Sequence, residues 1–462
     1  MNQQAIIDEA QILRTLQNME SVTDQDILDV IQAGRDMKGL NADQVAILMQ
    51  AHSPEVLSAL FDAAKFVKET IYGRRLVIFA PMYVSNLCAN ECLYCAFRAR
   101  NEAICRRSLT QEEVAEETRA LIDQGHKRML LVSGEAYPRE GFPYILKCVD
   151  TVYNTKHKHG EIRRVNVNVA PLSLEEFRDL KAASIGTYQL FQETYHWESY
   201  HRVHVAGKKR DYNWRITALD RAMQAGIDDL GIGVLFGLYD WKFEMLALFQ
   251  HIHHLEHRYG IGPHTISVPR LEPATGSDIA EHTPYAVTDE DFSKIMAILR
   301  LAVPYTGIIL STRETAETRR ASLDLGVSQI SAGSRTNPGG YGEEESVDSS
   351  QFSLGDHREL DEVIRDVASM GYTPSFCTGC YRLGRTGADF MDLAKPGEIK
   401  CHCDPNALST FQEYLIDYAS EETKTVGERT IAAALAEMDP AIRVRSEKMI
   451  AQVKSGRRDV FC

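Results

Sequence analysis

The sequence predicts an α/β fold, a TIM-type (β/α)8 barrel with a helical preface and a mostly helical C-terminal domain. Three observations carry this prediction. From Arg74 onward, apolar runs of strand length alternate with helical patterns until eight strands are reached, as in a closed parallel sheet. Before that point, residues 1–72 show helical periodicity broken by polar turns. Past Gly371 the alternation stops and a second group of cysteines begins. The expected domains are an N-terminal helical segment (1–72), the barrel (73–370) and a C-terminal domain around those cysteines (371–462).

In the preface, Ile6, Ile7, Ala10, Leu13 and Leu16 recur at three- and four-residue spacing. Ile27, Val30 and Ile31 do so after a Thr23-Asp24 cap, and Val45, Leu48 and Met49 after Asn41. Ser53-Pro54-Glu55 opens a further helix through Leu57, Leu60, Ala64 and Val67, ending near Gly73. The expected strands are 76–80, 128–132, 164–169, 187–192, 229–236, 265–269, 307–311 and 329–332. Helices are expected over 110–124, 143–156, 173–183, 212–225, 241–257, 289–301 and 315–325. Pro81 is read as the end of the first strand, because proline cannot donate to a ladder.

The chain has 462 residues, 44 % apolar and 25 % charged, ordinary values for a soluble globular protein. No apolar run approaches the length of a membrane span, and the first residues have neither the basic nor the apolar region of a signal peptide. A net charge of −14 argues against nucleic acid as a partner. Ten cysteines, mostly in two groups, suit metal sites in a reducing compartment, so a cytoplasmic enzyme is expected.

Cys88, Cys92 and Cys95 follow the first strand with spacing Cys-x3-Cys-x2-Cys. Thiolates hold iron–sulfur clusters, and three of them leave one iron of a four-iron cluster open to a small molecule. Zinc with a distant fourth ligand, His126 or Cys105, is the plainer alternative. The spacing, with Tyr94 before the third cysteine, resembles that of the radical S-adenosylmethionine (SAM) superfamily. The resemblance implies that the open iron chelates SAM and that an electron from the cluster releases a 5′-deoxyadenosyl radical. Gly134-Glu135, one strand later, resembles the element that contacts the SAM amino group, glycine letting a ligand approach the backbone.

The second group reads Cys377-x2-Cys380, then Cys401-His402-Cys403, and a four-cysteine zinc ribbon is its alternative. Over nearly the whole chain the sequence resembles the HydG family of [FeFe]-hydrogenase maturases, radical SAM tyrosine lyases. The matching stretches are the Cys88 loop, Phe191-Gln192-Glu193-Thr194-Tyr195-His196, Gly262-Pro263-His264-Thr265, Leu310-Ser311-Thr312-Arg313-Glu314, Ser334-Arg335-Thr336-Asn337-Pro338 and 377–408. The family's third auxiliary cysteine precedes a Pro-Asn-Ala, here Pro405-Asn406-Ala407, which selects Cys403 and leaves Cys401 over. The terminal Cys462 has no counterpart.

The resemblance implies two [4Fe-4S] clusters. At the first, the radical takes hydrogen from the amino group of L-tyrosine, whose Cα–Cβ bond breaks to p-cresol and dehydroglycine. At the auxiliary cluster, dehydroglycine becomes carbon monoxide and cyanide on an additional iron, held by His264 and a free L-cysteine. Ferredoxin or flavodoxin as electron donor and the other hydrogenase maturases are the partners it implies.

Position on the barrel suggests further roles. Polar residues gather after strand ends, where barrel enzymes place their chemistry. Arg313 is the candidate for the tyrosine carboxylate, with Ser311 and Ser334 nearby and Arg270 and Arg335 as alternatives. Glu193 is expected at the SAM ribose and Arg215 at its carboxylate. The histidines from His251 to His257 are read as solvent-facing, Gly339-Gly340-Tyr341-Gly342 as a mobile loop over the barrel mouth, Glu343-Glu344-Glu345 as surface, and Cys105 and Cys148 as unligated. Two rival functions remain, the thiazole-pathway tyrosine lyase (2-iminoacetate synthase) and a non-catalytic iron–sulfur carrier.

Overall fold

The computed structural model describes residues 6–342 and 349–462; the acidic run Glu343-Glu344-Glu345 and the first five residues lie outside the described residues. Eight parallel strands form the barrel: β1 (Arg75–Ser85), β2 (Arg128–Ser133), β3 (Arg164–Asn168), β4 (Tyr188–Gln189), β5 (Leu230–Gly233), β6 (Thr265–Ser267), β7 (Gly307–Leu310) and β8 (Gln329–Ser331). Each pairs with its successor, and β8 returns to β1 in the register Val77↔Gln329, Ile78↔Ile330, Phe79↔Ser331. All eight expected strands are present. Two are much shorter than expected, β4 and β5, because the chain beyond them bends into loops; Glu193 after β4 takes φ 72°.

Pro81 does not end β1, which runs on to Ser85. Pairing with β8 has finished at Phe79, and the Pro81 carbonyl takes the Tyr341 hydroxyl at 2.7 Å instead. The nitrogen of a strand residue faces the same side as its carbonyl, so the missing N–H falls where no ladder needs it. Tyr341 thus ties the loop after β8 to the barrel wall. The Tyr341 and Gly342 amides donate to Glu117 on helix Gln111–Gln124, at 3.1 and 2.7 Å.

A ninth strand, β9 (Thr373–Ser375), was not expected. It pairs with the first half of β1 (Arg75↔Thr373), before β2 takes over that edge at Ala80. The second cysteine group therefore starts at the barrel's N-terminal end, opposite the Cys88 loop.

Helices Glu9–Gln17, Asp24–Gly34, Ala42–Leu48 and Pro54–Tyr72 form the preface. Reciprocal caps start the second and third (Thr23 with Asp26, Asn41 with Gln44), and Gly73, at φ 64°, ends the fourth. The expected helix over 212–225 divides into Tyr212–Ile216 and Ala218–Gln224. On Trp241–Tyr259, His251 is buried against the Tyr195 hydroxyl (2.9 Å), whereas His253 and His257 are exposed as expected. Burial holds the His251 pKa down at about 3, so it is a neutral core residue.

Past β9 come helices Gly387–Ala394, Lys400–Asp417, Glu421–Glu437 and Pro440–Lys454. Lys400–Asp417 carries Cys403 and is buried on most of its faces. Its Glu413 pairs with Arg163 (2.6 Å) and Lys127 (3.0 Å) from the starts of β3 and β2, a buried tie between the barrel floor and the cysteine-bearing helix.

Candidate functional site

Two cavities occupy the barrel. The upper, at the C-terminal strand ends, opens over about 1450 Å³ of atom-free space, part of it open solvent, and is lined by Cys88, Cys92 and Cys95. The lower, at the N-terminal ends, encloses about 440 Å³ and is lined by Cys377, Cys380, Cys403 and His264. The walls are mixed: Gln189, Ser267 and Ser331 line the upper cavity beside Phe79, Leu130 and Ile309, and Arg164 and Gln329 line the lower beside Val77 and Phe390.

In the upper cavity, burial pushes the Cys88 thiol up to about 11 and raises Cys92 and Cys95 as well. Three thiols so placed become thiolates only with a cation among them, which is the donor set of a cluster with one open iron. Among the described residues, no three cysteine, histidine or acidic side chains converge as closely as a single metal ion requires, at either group.

Around the cysteines lies a buried set of charges. Arg215 donates to Glu135 (2.9 Å), Glu193 (3.4 Å) and the Phe191 carbonyl (2.8 Å). Lys209 reaches Glu193 at 2.6 Å, and Asn90 of the cysteine loop donates to Glu135 at 2.7 Å. Although burial pushes the Glu135 carboxyl up, Arg215 and Lys209 hold it below its ordinary range. Glu135, Glu193 and Arg215 thus share one wall with the cysteines, and Arg215 is already committed to the two glutamates.

Gly134 lines the upper cavity and meets a packing constraint as well. A Cβ there would lie 2.2 Å from the Leu87 carbonyl oxygen, so its bareness also admits the cysteine loop. The Gly134 amide donates to the Ser85 carbonyl and the Ala136 amide to Leu87, pinning that loop. Gly134→Ala is therefore expected to displace the Cys88 loop and lose about four irons per chain after reconstitution. Iron and sulfide analysis checks this, with circular dichroism to confirm the barrel.

Of the three candidate arginines, Arg270 is bound by Glu314 (2.9 Å) and Asp289 (2.7 Å), and Arg335 by Glu359 (3.2 Å). Arg313 lines the cavity with its guanidinium 3.3 Å from the Phe352 ring centroid and no ion pair among the described residues. Ser311 lines the cavity beside it; Ser334 does not, being enclosed with its hydroxyl unpartnered. Sequence reasoning missed Lys209, Asn90 and Gln351, whose side-chain amide accepts from the Tyr83 hydroxyl (2.7 Å) and faces the Cys95 sulfur (3.8 Å).

In the lower cavity, Cys377 follows β9 in a left-handed conformation (φ 48°), and Cys380 and Cys403 are in hydrogen-bond contact. The two thiols share one proton, and with Arg385 beside it Cys380 is held below the usual thiol range while Cys403 is pushed up. Cys401, two residues before Cys403, does not line the cavity. His264 sits just before β6, not at its C-terminal end. Burial holds its pKa down at about 4, so the ring is the neutral, metal-binding form. Asp229 stands 4.0 Å from its Nδ1, and Phe390 packs on the ring at 4.2 Å. Three thiols and a neutral imidazole make a donor set suited to an iron–sulfur cluster with further iron. Cys462 lies outside the cavity; its amide and carbonyl are bonded by Asn406 on the Cys403 helix (2.8 and 3.0 Å).

Comparison with known proteins agrees with this geometry. The sequence profile of the radical SAM superfamily matches residues 82–250, and that of the biotin and thiamin synthesis associated domain matches 267–373. The chain is 31 % identical to the 2-iminoacetate synthase of Escherichia coli (strain K12), over 75 % of this chain and 89 % of that protein. It superposes on a crystal structure of HydG, a maturase of the [FeFe]-hydrogenase, with TM-score 0.96 and 46 % identity, covering 99 % of this chain and 100 % of that one. HydG from Carboxydothermus hydrogenoformans gives TM-score 0.83 and 40 % identity, over 96 % and 98 % of the two chains. A radical SAM superfamily member binds a [4Fe-4S] cluster and SAM, and the matched region of this chain includes the Cys88 loop. Superposed on those structures over nearly its whole length at 40–46 % identity, the chain belongs to the HydG family of [FeFe]-hydrogenase maturases.

Proposed function

We propose that the chain is a radical SAM tyrosine lyase, cleaving the Cα–Cβ bond of L-tyrosine to p-cresol and dehydroglycine. Dehydroglycine then gives carbon monoxide and cyanide for the hydrogenase active site. A cluster on Cys88, Cys92 and Cys95 supplies, when bound, the electron that cleaves SAM. Gly134, Glu135 and Glu193 face the polar parts of SAM, and Arg215 holds the two carboxylates in place between them. Arg313 pairs with the tyrosine carboxylate, and Ser311 offers it a hydroxyl.

At the other end, Cys377, Cys380 and Cys403 hold an auxiliary [4Fe-4S] cluster, and His264 with a free L-cysteine holds the additional iron. Ferredoxin or flavodoxin delivers electrons, and other hydrogenase maturases, in the cytoplasm, receive the product. The three-part division at residues 72 and 370 follows the same logic, one chemistry at each end of one barrel. The observation that supports this reading over 2-iminoacetate synthesis alone is the lower cavity, where three thiols and a neutral imidazole meet. Anaerobic incubation with SAM, tyrosine and dithionite tests it. Both p-cresol and cyanide are expected, and cresol without cyanide would return the chain to the 2-iminoacetate reading.

Arg313→Ala removes a charge-assisted contact worth about 1.5–3 kcal/mol. Tyrosine binding is expected to weaken about ten- to a hundredfold, with SAM binding little changed. Equilibrium titrations of each ligand check this, and an equal loss of SAM affinity would put Arg313 in the wrong half of the cavity.

A further inference from the structure

We infer that the face over the Cys92 ribbon is the docking surface for an acidic one-electron carrier protein. The inference rests on the radical SAM reading above and adds where the electron enters. Glu91–Cys92 pairs antiparallel with His204–Ala206, and the Leu93 amide donates to the Val203 carbonyl at 2.9 Å. One of the three cluster-holding thiols is thus on a strand whose partner lies at the surface, with Val205 38 % exposed.

The charge of this face is opposite to that of the molecule. The whole chain carries 51 basic and 65 acidic side chains, whereas residues 98–107 and 202–211 together carry eight basic and two acidic ones. Some of the eight are spent locally. Arg98 pairs with Glu91 (2.8 Å), Arg107 with Glu113 (2.5 Å) and Lys209 with Glu193 inside the cavity, and Arg106 serves backbone carbonyls. Arg100, Lys208 and Arg210 are exposed and make no ion pair among the described residues, and exposed Arg202 reaches only Ser199. Within these two segments the acids are Glu102 and Asp211, the latter capping the helix at Trp214, and the neighbouring helix Asp278–Glu281 adds exposed Asp278 and Glu281.

These cations are held close to the cysteine loop. The Arg100 amide donates to Glu91 (2.8 Å), the Ala99 amide to the Asn90 carbonyl and the Lys209 amide to the Asn90 side chain (3.0 Å). A basic rim around an exposed valine, on an otherwise acidic protein, attracts an acidic partner and orients it before contact.

The test uses the reconstituted holoenzyme and an acidic flavodoxin as probe, with the variant Arg100→Glu/Lys208→Glu/Arg210→Glu. Flavodoxin affinity, read by calorimetry, is expected to fall at least about tenfold, and flavodoxin-driven p-cresol formation with it. Dithionite-driven formation should be unchanged, which also shows that the variant folds and holds its cluster. A neutral variant (Arg100→Gln/Lys208→Gln) should fall between, and added salt should weaken the wild type far more than the triple variant. Unchanged flavodoxin affinity overturns the inference. Wild-type protein that binds flavodoxin but makes no p-cresol with dithionite overturns the tyrosine-lyase reading and leaves the surface standing.

Discussion

Cys403→Ser is expected to separate the two chemistries: p-cresol persists while cyanide and carbon monoxide disappear. Cys403 is buried beside Cys380 in the lower cavity, at the opposite end of the barrel from Cys88, Cys92 and Cys95. Under the proposed assignment its loss takes one of three ligands from an auxiliary cluster and nothing from the upper cavity. Cys401→Ser should leave every product unchanged, because Cys401 lies outside the cavity. Product analysis of the two variants, with iron counted beside it, decides the assignment. Equal damage from both would mean that the pair acts together, as in a zinc ribbon. About four rather than eight or more irons in the reconstituted wild type would remove the second cluster altogether.

Cys92→Ala should have the larger effect, with 5′-deoxyadenosine and p-cresol both falling to background. The upper cavity has three thiols and no fourth, so none can substitute, and the remaining cysteines at the far end cannot reach it. The variant should stay folded, since Cys92 contributes little more than a small buried side chain to its ribbon. Undiminished p-cresol from it would refute the assignment of the radical chemistry to this loop.

The eight barrel strands were legible because strands covered on both faces read as apolar runs, and those runs are long enough to see. The cysteine groups were legible because ligand spacing is local in sequence. What escaped depends on pairing too short for any period to register. Lys209 enters the upper cavity only because two residues, Glu91–Cys92, pair with His204–Ala206; in sequence it sits in Lys208-Lys209-Arg210, which reads as surface charge. Strand β9 has three residues, one of them Pro374, a residue that argues against a strand anywhere but at an edge. His251 was misread because its helix is covered on two sides, by the barrel and by Glu9–Gln17, so one apolar stripe did not mark its whole buried surface. Ser334 follows a strand end as Ser311 does, but the chain turns there through Gly333 (φ 57°), and the hydroxyl is sealed away.

Tyrosine cleavage yields two fragments of opposite character, an aromatic phenol and a small charged imino acid. The lower cavity gathers Arg75, Arg164 and Arg385 beside its three thiols, with Tyr72, Val77 and Phe390 completing the wall. Guanidiniums on that wall give the space a positive potential, which favours the charged fragment over the neutral one. The two ends of the barrel thus differ in electrostatics as well as in the thiols they present.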